Sequence, residues 1–429
     1  MTTPPPSNVP PSTPSHPTGH TSSREGAGTL SVLRDRGFVQ QITDEGALAA
    51  RLAASPVTFY AGFDPTAASL HVGHYIPLMA MAHLARAGHQ AIAVLGGGTA
   101  MVGDPSGKTE MRQLISAEAI ANNRAAIEPQ VRRIIGPAAR IVDNAEWLLP
   151  LNYITFLRDI GRHFSVNRML TADAYKLRLE KGLSFIEFNY QLLQAYDFLA
   201  LCDRHDCALQ IGGDDQWGNI LAGTDLIRRL RQKEAFGLTF PLLTTASGAK
   251  MGKTAAGAVW LDPGMTSPFE LYQYFVNVDD GDVVRFLKLL TFEPLDEIRR
   301  FEAVAGAELR DAKRLLARAV TAIVHGPEAA ATTEAAARAA FGGAGGDQSG
   351  LPSLRIDRQR LEAGTKIVDL IVELGFAPSK SAARRLVEQR GVKVGEREIG
   401  EVDATLQASD GSTLLRVGKK HVGRLIVGE

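Results

Sequence analysis

Two histidines three residues apart, His71 and His74, follow a turn carrying Asp64, Thr66 and, on either side, Gly62 and Gly73. The stretch runs Tyr60-Ala-Gly-Phe-Asp-Pro-Thr-Ala-Ala-Ser-Leu-His71-Val-Gly-His74. Ahead of it, Val57, Thr58 and Phe59 read as a short buried strand; behind it, Leu78, Met79, Met81, Ala82 and Leu84 form a helical apolar face ending near Gly88. The histidines therefore open a helix and share one of its faces. Unpaired N–H groups and the positive end of the dipole attract an anion there, and two imidazoles can add hydrogen bonds to a phosphate. Gly62 and Gly73 would let a bulky ligand come close to the backbone. Taken alone, so short a motif more often only caps and solvates a helix.

Four later stretches tilt the balance. Ala91–Leu95 reads as a second buried strand running into Gly96-Gly-Gly-Thr-Ala-Met-Val-Gly-Asp104-Pro-Ser-Gly-Lys108-Thr. Strand, helix, strand and glycine loop is the order of a nucleotide-binding α/β sheet. Val102 stands where a Walker A loop needs glycine, and Met101 where the dinucleotide fingerprint needs one, so both are excluded. The glycines point to close backbone approach by a ligand. Next, Ser184-Phe-Ile-Glu187 is a capping box expected to open a helix carrying Tyr190, Gln194 and Asp197 on one face. A buried structural network would also explain that row. Finally, Gly212-Gly-Asp-Asp215-Gln216 follows a strand, and Lys250-Met-Gly-Lys253-Thr254 follows a last strand predicted at Phe240–Thr244. Such lysines are ordinarily solvated, but after a nucleotide fold they can reach a phosphate.

The elements around these motifs suggest several domains. At 429 residues the chain has ample core, and 45% hydrophobic with 22% charged residues is ordinary for a globular protein. Zero formal net charge confines any nucleic-acid contact to a local patch. Cys202 and Cys207, with His205 between them, lack a fourth ligand and read as inert thiols of a reducing cytoplasm. No apolar run reaches membrane-span length. Residues 1–28, with seven prolines in the first 17 positions, read as a disordered tail. A helical lead-in is expected from Leu33 to Ser55, capped by Thr43 or Asp44. A helix at Ser116–Ile135 and a strand at Arg140–Val142 precede a helical insertion at Asn152–Lys181, whose apolar surface could serve a subunit interface. Residues 265–341 read as helices only, started at Ser267, at Asp279 or Asp280, and at Pro294. A glycine-rich linker occupies 342–354. From 355 to 429 there are 14 Lys and Arg against 11 Asp and Glu, an excess of +3. There Lys380, Arg384, Arg385 and Lys393 make a basic helix and hairpin suited to an RNA backbone, or merely a solvated charged face.

Pro65-Thr-Ala-Ala-Ser-Leu-His71-Val-Gly-His74 resembles the HIGH signature, and Lys250-Met-Gly-Lys253-Thr254 the KMSKS signature, of class I aminoacyl-tRNA synthetases. Tyr60-Ala-Gly-Phe-Asp-Pro-Thr, Gly103-Asp-Pro-Ser-Gly-Lys, Asn189-Tyr-Gln-Leu-Leu-Gln-Ala-Tyr-Asp197-Phe and Gly212-Gly-Asp-Asp-Gln-Trp-Gly-Asn219 resemble the bacterial tyrosyl-tRNA synthetases, in order and spacing, from about residue 30 onward. The last module is similar to an S4 RNA-binding domain.

The resemblance implies a Rossmann-like parallel-sheet catalytic domain with a helical insertion (29–264), an all-helical tRNA-side domain (265–341) and a small α+β S4-like domain (355–429). It implies tyrosine activation by ATP with Mg²⁺, then transfer to tRNA(Tyr), by a cytoplasmic homodimer. Thr66, His71, His74, Lys250, Lys253, Lys108 and Arg112 would stabilise the reacting phosphates. Gly62, Asp64, Gly73, Gly213, Asp215 and Lys253 would bind ATP. Asp104, Tyr190 and Gln194 would hold the substrate ammonium, Gln216 its carboxyl, and Tyr60 with Asp197 its phenol. Lys380, Arg384, Arg385 and Lys393 would bind RNA, and no protein metal site is implied. Ala61, Pro77, Gly252 and Thr254 depart from residues that some relatives carry. The rival readings are a tryptophanyl-tRNA synthetase, an HxGH nucleotidylyltransferase activating another small acid, and a non-catalytic RNA-binding relative; the Tyr60–Asp197 pair, the C-terminal modules and the intact signatures argue against them in turn.

Overall fold

The computed structural model describes residues 28–106, 115–171, 173–180, 182–244, 251–254, 257–341, 350–407, 412–418 and 421–427. The tail, the linker glycines up to 349, Lys108, Arg112 and Lys250 lie outside the described residues.

A six-stranded sheet carries the first half of the chain: β1 (Gln41–Ile42), β2 (Thr58–Phe63), β3 (Gln90–Leu95), β4 (Arg140–Asp143), β5 (Cys207–Gly213) and β6 (Phe236–Phe240). Its order is β1-β6-β5-β2-β3-β4, parallel except for the edge strand β1. Chain order runs outward from β2 to β4 on one side and from β5 to β6 on the other. The switch point therefore lies between β2 and β5, where ligands collect at strand carboxyl ends. Strand alternation splits the core: Phe59, Ala61 and Phe63 face one apolar layer, Tyr60 the other.

The first layer holds the Val72–Arg86 helix, which buries nine residues, and the Ala117–Ile135 helix, capped by Ser116. The helices after residue 266 join this same core through Phe275, Phe286, Leu287 and Leu290, and Tyr75 Oη donates to the Leu290 carbonyl at 3.1 Å. The second layer holds the Tyr190–His205 and Trp217–Arg231 helices, with both cysteines buried as free thiols. A separate five-stranded sheet, ordered β11-β10-β12-β13-β9, closes the chain: β9 (Ser353–Ile356), β10 (Val392–Val394), β11 (Arg397–Ile399), β12 (Ser412–Val417) and β13 (His421–Val427). Ser379 caps its Lys380–Glu388 helix.

Several local expectations need correction. The lead-in is two helices, Thr29–Arg36 and Glu45–Ala54, because β1 intervenes to pair with β6; Asp44 is the cap, accepting from Ala47 N–H at 2.9 Å. The last strand of the sheet is Phe236–Phe240, ending where strand was expected to begin. The capping box at Ser184 opens only the single turn Phe185–Phe188; the chain breaks at Asn189 and a new helix starts at Tyr190. Lys253–Thr254 is not simply loop: as β7 it pairs with β8 (Gly257–Ala258). At the helical region's second start, Asp280–Asp282 is a 3-10 turn leading into the Val283–Leu290 helix. Pro77 is the sixth residue of its helix, and its missing N–H leaves the Gly73 carbonyl without the usual i+4 donor.

Candidate active site

The histidine helix starts where it does because His71 caps it. His71 is extended, with φ −116° and ψ 170°, and its Nδ1 accepts the Gly73 N–H at 3.0 Å, while His74 Nδ1 accepts the His71 N–H at 3.3 Å. The two rings stack with centroids 4.0 Å apart. With each Nδ1 accepting, a neutral ring carries its proton on Nε2, so capping and donation to an anion use different nitrogens of one ring. The two meanings of the motif coexist. A Cβ on Gly73 would lie 2.7 Å from the His71 ring, so this glycine makes room for the cap. The preceding turn is braced from the Ala117–Ile135 helix: Asn123 Nδ2 donates to the Pro65 carbonyl at 3.0 Å, and Gln130 Oε1 accepts the Leu70 N–H at 3.0 Å.

The two signature segments, far apart in sequence, are joined backbone to backbone. Leu261 N–H donates to the Leu70 carbonyl at 2.8 Å, Val72 N–H to Val259 at 2.9 Å, and Val259 N–H to Gly252 at 2.9 Å. A Cβ at Gly252 would lie 3.1 Å from the Gly73 nitrogen. The residue before Lys253 thus packs on the start of the histidine helix; of Lys253 itself only the backbone is described.

One cleft of about 320 Å³ at the β2/β5 switch point gathers Tyr60, Gly62, Asp64, Thr66, His71, Gly73, His74, Asp104, Tyr190, Gln194, Asp197, Gly213, Asp215 and Gln216. A larger hollow of about 570 Å³ opens beside it against the Trp217–Arg231 helix, sharing Asp215 but neither histidine.

In the cleft lie Tyr60 and Asp197, 2% and 4% exposed. The Tyr60 hydroxyl is buried with no hydrogen-bond partner among the described residues. Leaving such a group unpaired costs ~1–3 kcal/mol. Asp197 Oδ1 accepts from the Trp147 indole at 2.7 Å and Oδ2 from Asn144 Nδ2 at 3.0 Å. Burial pushes its carboxyl up to about 7, while the Asn144 and Trp147 donors pull it back toward ionisation. Both of those groups can only donate here, so the geometry suits the carboxylate.

A chain of polar groups runs on from there. Asn144 Nδ2 also donates to Thr99 Oγ1 at 2.9 Å, Thr99 Oγ1 to Asp64 Oδ1 at 2.8 Å, and Tyr190 Oη to Asp64 Oδ2 at 3.1 Å. Burial first, then Asp64, Asp104 and Asp197, hold the Tyr190 hydroxyl well above the usual phenol range, so it stays a donor. Gln216 Nε2 donates to Asp104 Oδ2 at 2.7 Å, and Asn219 Nδ2 to Gln194 Oε1 at 2.9 Å. This acidic middle section suits a cationic ammonium. A Cβ on Gly96 would overlap Asp64 Oδ1, so that glycine admits a carboxylate, not the ligand that the sequence suggested.

The sequence alone does not single out Asn144, Trp147, Thr99 or Gln210; Gln210 lines the cleft, and its Oε1 is buried without a partner among the described residues. Their shared signal is placement in or just after β3, β4 and β5, at or toward the carboxyl ends. The basic set is not part of the cleft: Arg384, Arg385 and Lys393 are exposed on the C-terminal unit, and Lys380 pairs with Asp369 at 2.8 Å.

A family model described as "tRNA synthetases class I (W and Y)" matches residues 52–342 of the 429. The chain belongs to this family. A second model, the "Tyrosine--tRNA ligase SYY-like C-terminal domain", matches residues 346–423. The tyrosine--tRNA ligase of Clostridium tetani is 49% identical over 408 residues, covering 94% of this chain and all of that one. That of Clostridium botulinum (strain Eklund 17B) is 51% identical over 405 residues, covering 93% and 99%. The crystal structure of a C-terminally truncated mitochondrial tyrosyl-tRNA synthetase from Aspergillus nidulans matches with a TM-score of 0.66 and 32% identity, over 74% of this chain and 95% of that one. A tryptophanyl-tRNA synthetase from Encephalitozoon cuniculi, at 14% identity and TM-score 0.55, shares the fold. In this class I synthetase the histidine and lysine signatures therefore occupy one neighbourhood of the parallel sheet.

Proposed function

We infer that the chain is a tyrosine--tRNA ligase, activating L-tyrosine with ATP and transferring it to the 3′ end of tRNA(Tyr). The observation that carries this reading is the orphaned Tyr60 hydroxyl beside the Asp197 carboxylate. A phenol completes both, accepting from Tyr60 and donating to Asp197. Phenylalanine completes neither, and an indole N–H donates but leaves Tyr60 without an acceptor.

In the first step a carboxylate oxygen of tyrosine attacks the α-phosphorus of ATP, and the bond to the β-phosphate oxygen breaks to release pyrophosphate. That carboxylate is already ionised at pH 7, so no general base is needed. Catalysis is alignment plus neutralisation of charge growing on the phosphates. His71 and His74 through Nε2–H, Thr66, and the lysines of both glycine-rich segments (Lys108, Lys250 and Lys253, with Arg112) supply the neutralisation. Gly62, Gly73, Gly213, Asp64 and Asp215 line the nucleotide side. Asp104, Tyr190 and Gln194 take the ammonium, and Gln216 sits by the reacting carboxyl. Mg²⁺ enters on the nucleotide's own phosphate oxygens. In the second step a ribose hydroxyl of the tRNA attacks the tyrosyl carbonyl carbon, and AMP departs. The exposed Arg384, Arg385 and Lys393 support a contact of the S4-like unit with the tRNA backbone. The direct test is ATP–pyrophosphate exchange with each of the twenty amino acids. Exchange should depend on tyrosine; dependence on tryptophan, or none at all, would overturn the reading.

A homodimer belongs to the same proposal. Among the described residues, eight of the ten large exposed apolar side chains fall between 149 and 186, including Tyr153 at 56%, Ile154 at 70% and Phe185 at 70% exposure. So concentrated an apolar surface is an interface awaiting a partner. Phe185→Asp should shift the sedimentation coefficient from dimer to monomer without loss of helical circular dichroism; a dimer that persists, or a monomeric parent, refutes it.

A further inference from the structure

We propose that Tyr274 and Arg285 are positioning residues for adenylate formation, holding from the helical region the backbone of the lysine signature at Gly252 and that of Thr244 ahead of it. The proposal rests on the synthetase reading above. Tyr274 lies on the Pro268–Val276 helix and is half-buried; its hydroxyl oxygen accepts the Gly252 N–H at 3.2 Å. Arg285 lies on the Val283–Leu290 helix, and its guanidinium donates to the carbonyl of Thr244 and, at 2.6 Å, to Asp282 Oδ1. The Asp282 side chain is only 3% exposed, which fixes the guanidinium's direction. Between those grips, Met251 N–H donates to the Leu243 carbonyl at 3.0 Å, so the two flanks of the segment meet.

Neither grip belongs to the nucleotide fold. Both come from helices anchored in the main core by Phe275 and Phe286, each fully buried. Gly252 has φ +82°, and a Cβ there would come within 3.1 Å of the Gly73 nitrogen, so the turn admits little drift from the histidine helix. The Tyr274 hydroxyl therefore sets the backbone immediately before Lys253, a residue that acts only as charge grows on the phosphates. Neither Tyr274 nor Arg285 lines the cleft, so tyrosine binding does not involve them.

Tyr274→Phe keeps the ring and removes only the acceptor. The single-turnover rate of adenylate formation should fall roughly tenfold, the scale of one unsatisfied, partly buried N–H. Tyrosine affinity, read by equilibrium dialysis, should hold, and the melting temperature should fall by no more than a few degrees. In a Lys253→Ala background the same change should add no further loss, because two residues acting as one unit are not additive. Arg285→Gln should repeat the pattern from the other flank, with Arg285→Lys recovering part of the rate. Full additivity with Lys253→Ala, a matching loss of tyrosine affinity, or an unaltered rate would each overturn the proposal. A parent protein without tyrosine-dependent exchange would instead sink the functional reading beneath it.

Discussion

His71→Ala should lower the rate of tyrosyl-adenylate formation by ~10²–10³, the usual consequence of deleting one preorganised donor aimed at developing charge. Two functions are lost in that variant, and magnitudes separate them. Losing the helix cap costs ~1 kcal/mol of stability, which moves the melting temperature by a few degrees and leaves the protein folded. Losing a transition-state donor raises the activation free energy by ~3–4 kcal/mol, so the rate suffers far more than the fold. His71→Asn sharpens the test, because asparagine is a good cap and its side-chain oxygen can replace Nδ1 at the Gly73 N–H. Stability should return while the rate does not. Recovery of both, measured by calorimetry and quenched-flow adenylate formation, would reduce His71 to a structural residue; tyrosine affinity falling as far as the rate would remove its transition-state role.

Tyr60→Phe combined with Asp197→Ala should collapse discrimination between tyrosine and phenylalanine by several orders of magnitude in kcat/KM for exchange. Rejection of this size by unpaired buried polar groups is the known behaviour of tyrosyl-tRNA synthetases. The structure adds a finer expectation for the single variants. Tyr60→Phe deletes a hydroxyl that has no partner among the described residues, so it should raise the melting temperature while weakening tyrosine. Asp197 is an acid pushed up to about 7, and its ionised form is the stronger acceptor for the phenol hydroxyl. Tyrosine affinity should therefore be full above that value and decline as pH falls through it, and Asp197→Asn should abolish that limb. Selectivity that survives the double change, or an affinity flat between pH 5 and 8, would exclude the slot.

Much of this site is legible in the sequence for a specific reason. The histidine turn, the Tyr190–Gln194–Asp197 row and the glycine turn before Asp215 are each confined to one element or one strand end, and residue spacing fixes which of their side chains share a face. Local rules fail where two elements compete. Ser184 and Glu187 do form their capping box, yet the helix they open stops after one turn and Asn189 restarts it. The glycines after β3 are equally clear as a pattern and misleading in purpose, since Gly96 yields space to Asp64, the residue just after β2.

By itself, the sequence determined the residue types that can neutralise phosphate, the strands and helices that carry them, and the membership that their combined spacing implies. Only the tertiary structure decided that Asn144 and Trp147 hold Asp197, that the Tyr60 hydroxyl waits unpaired beside it, and that Tyr274 and Arg285 reach the second signature. Periodicity reports which neighbours along one element share a face. Hydrogen bonds between elements follow instead from the strand order around β2 and β5, which brings residues dozens to hundreds of positions apart within about 3 Å and leaves no mark in local spacing.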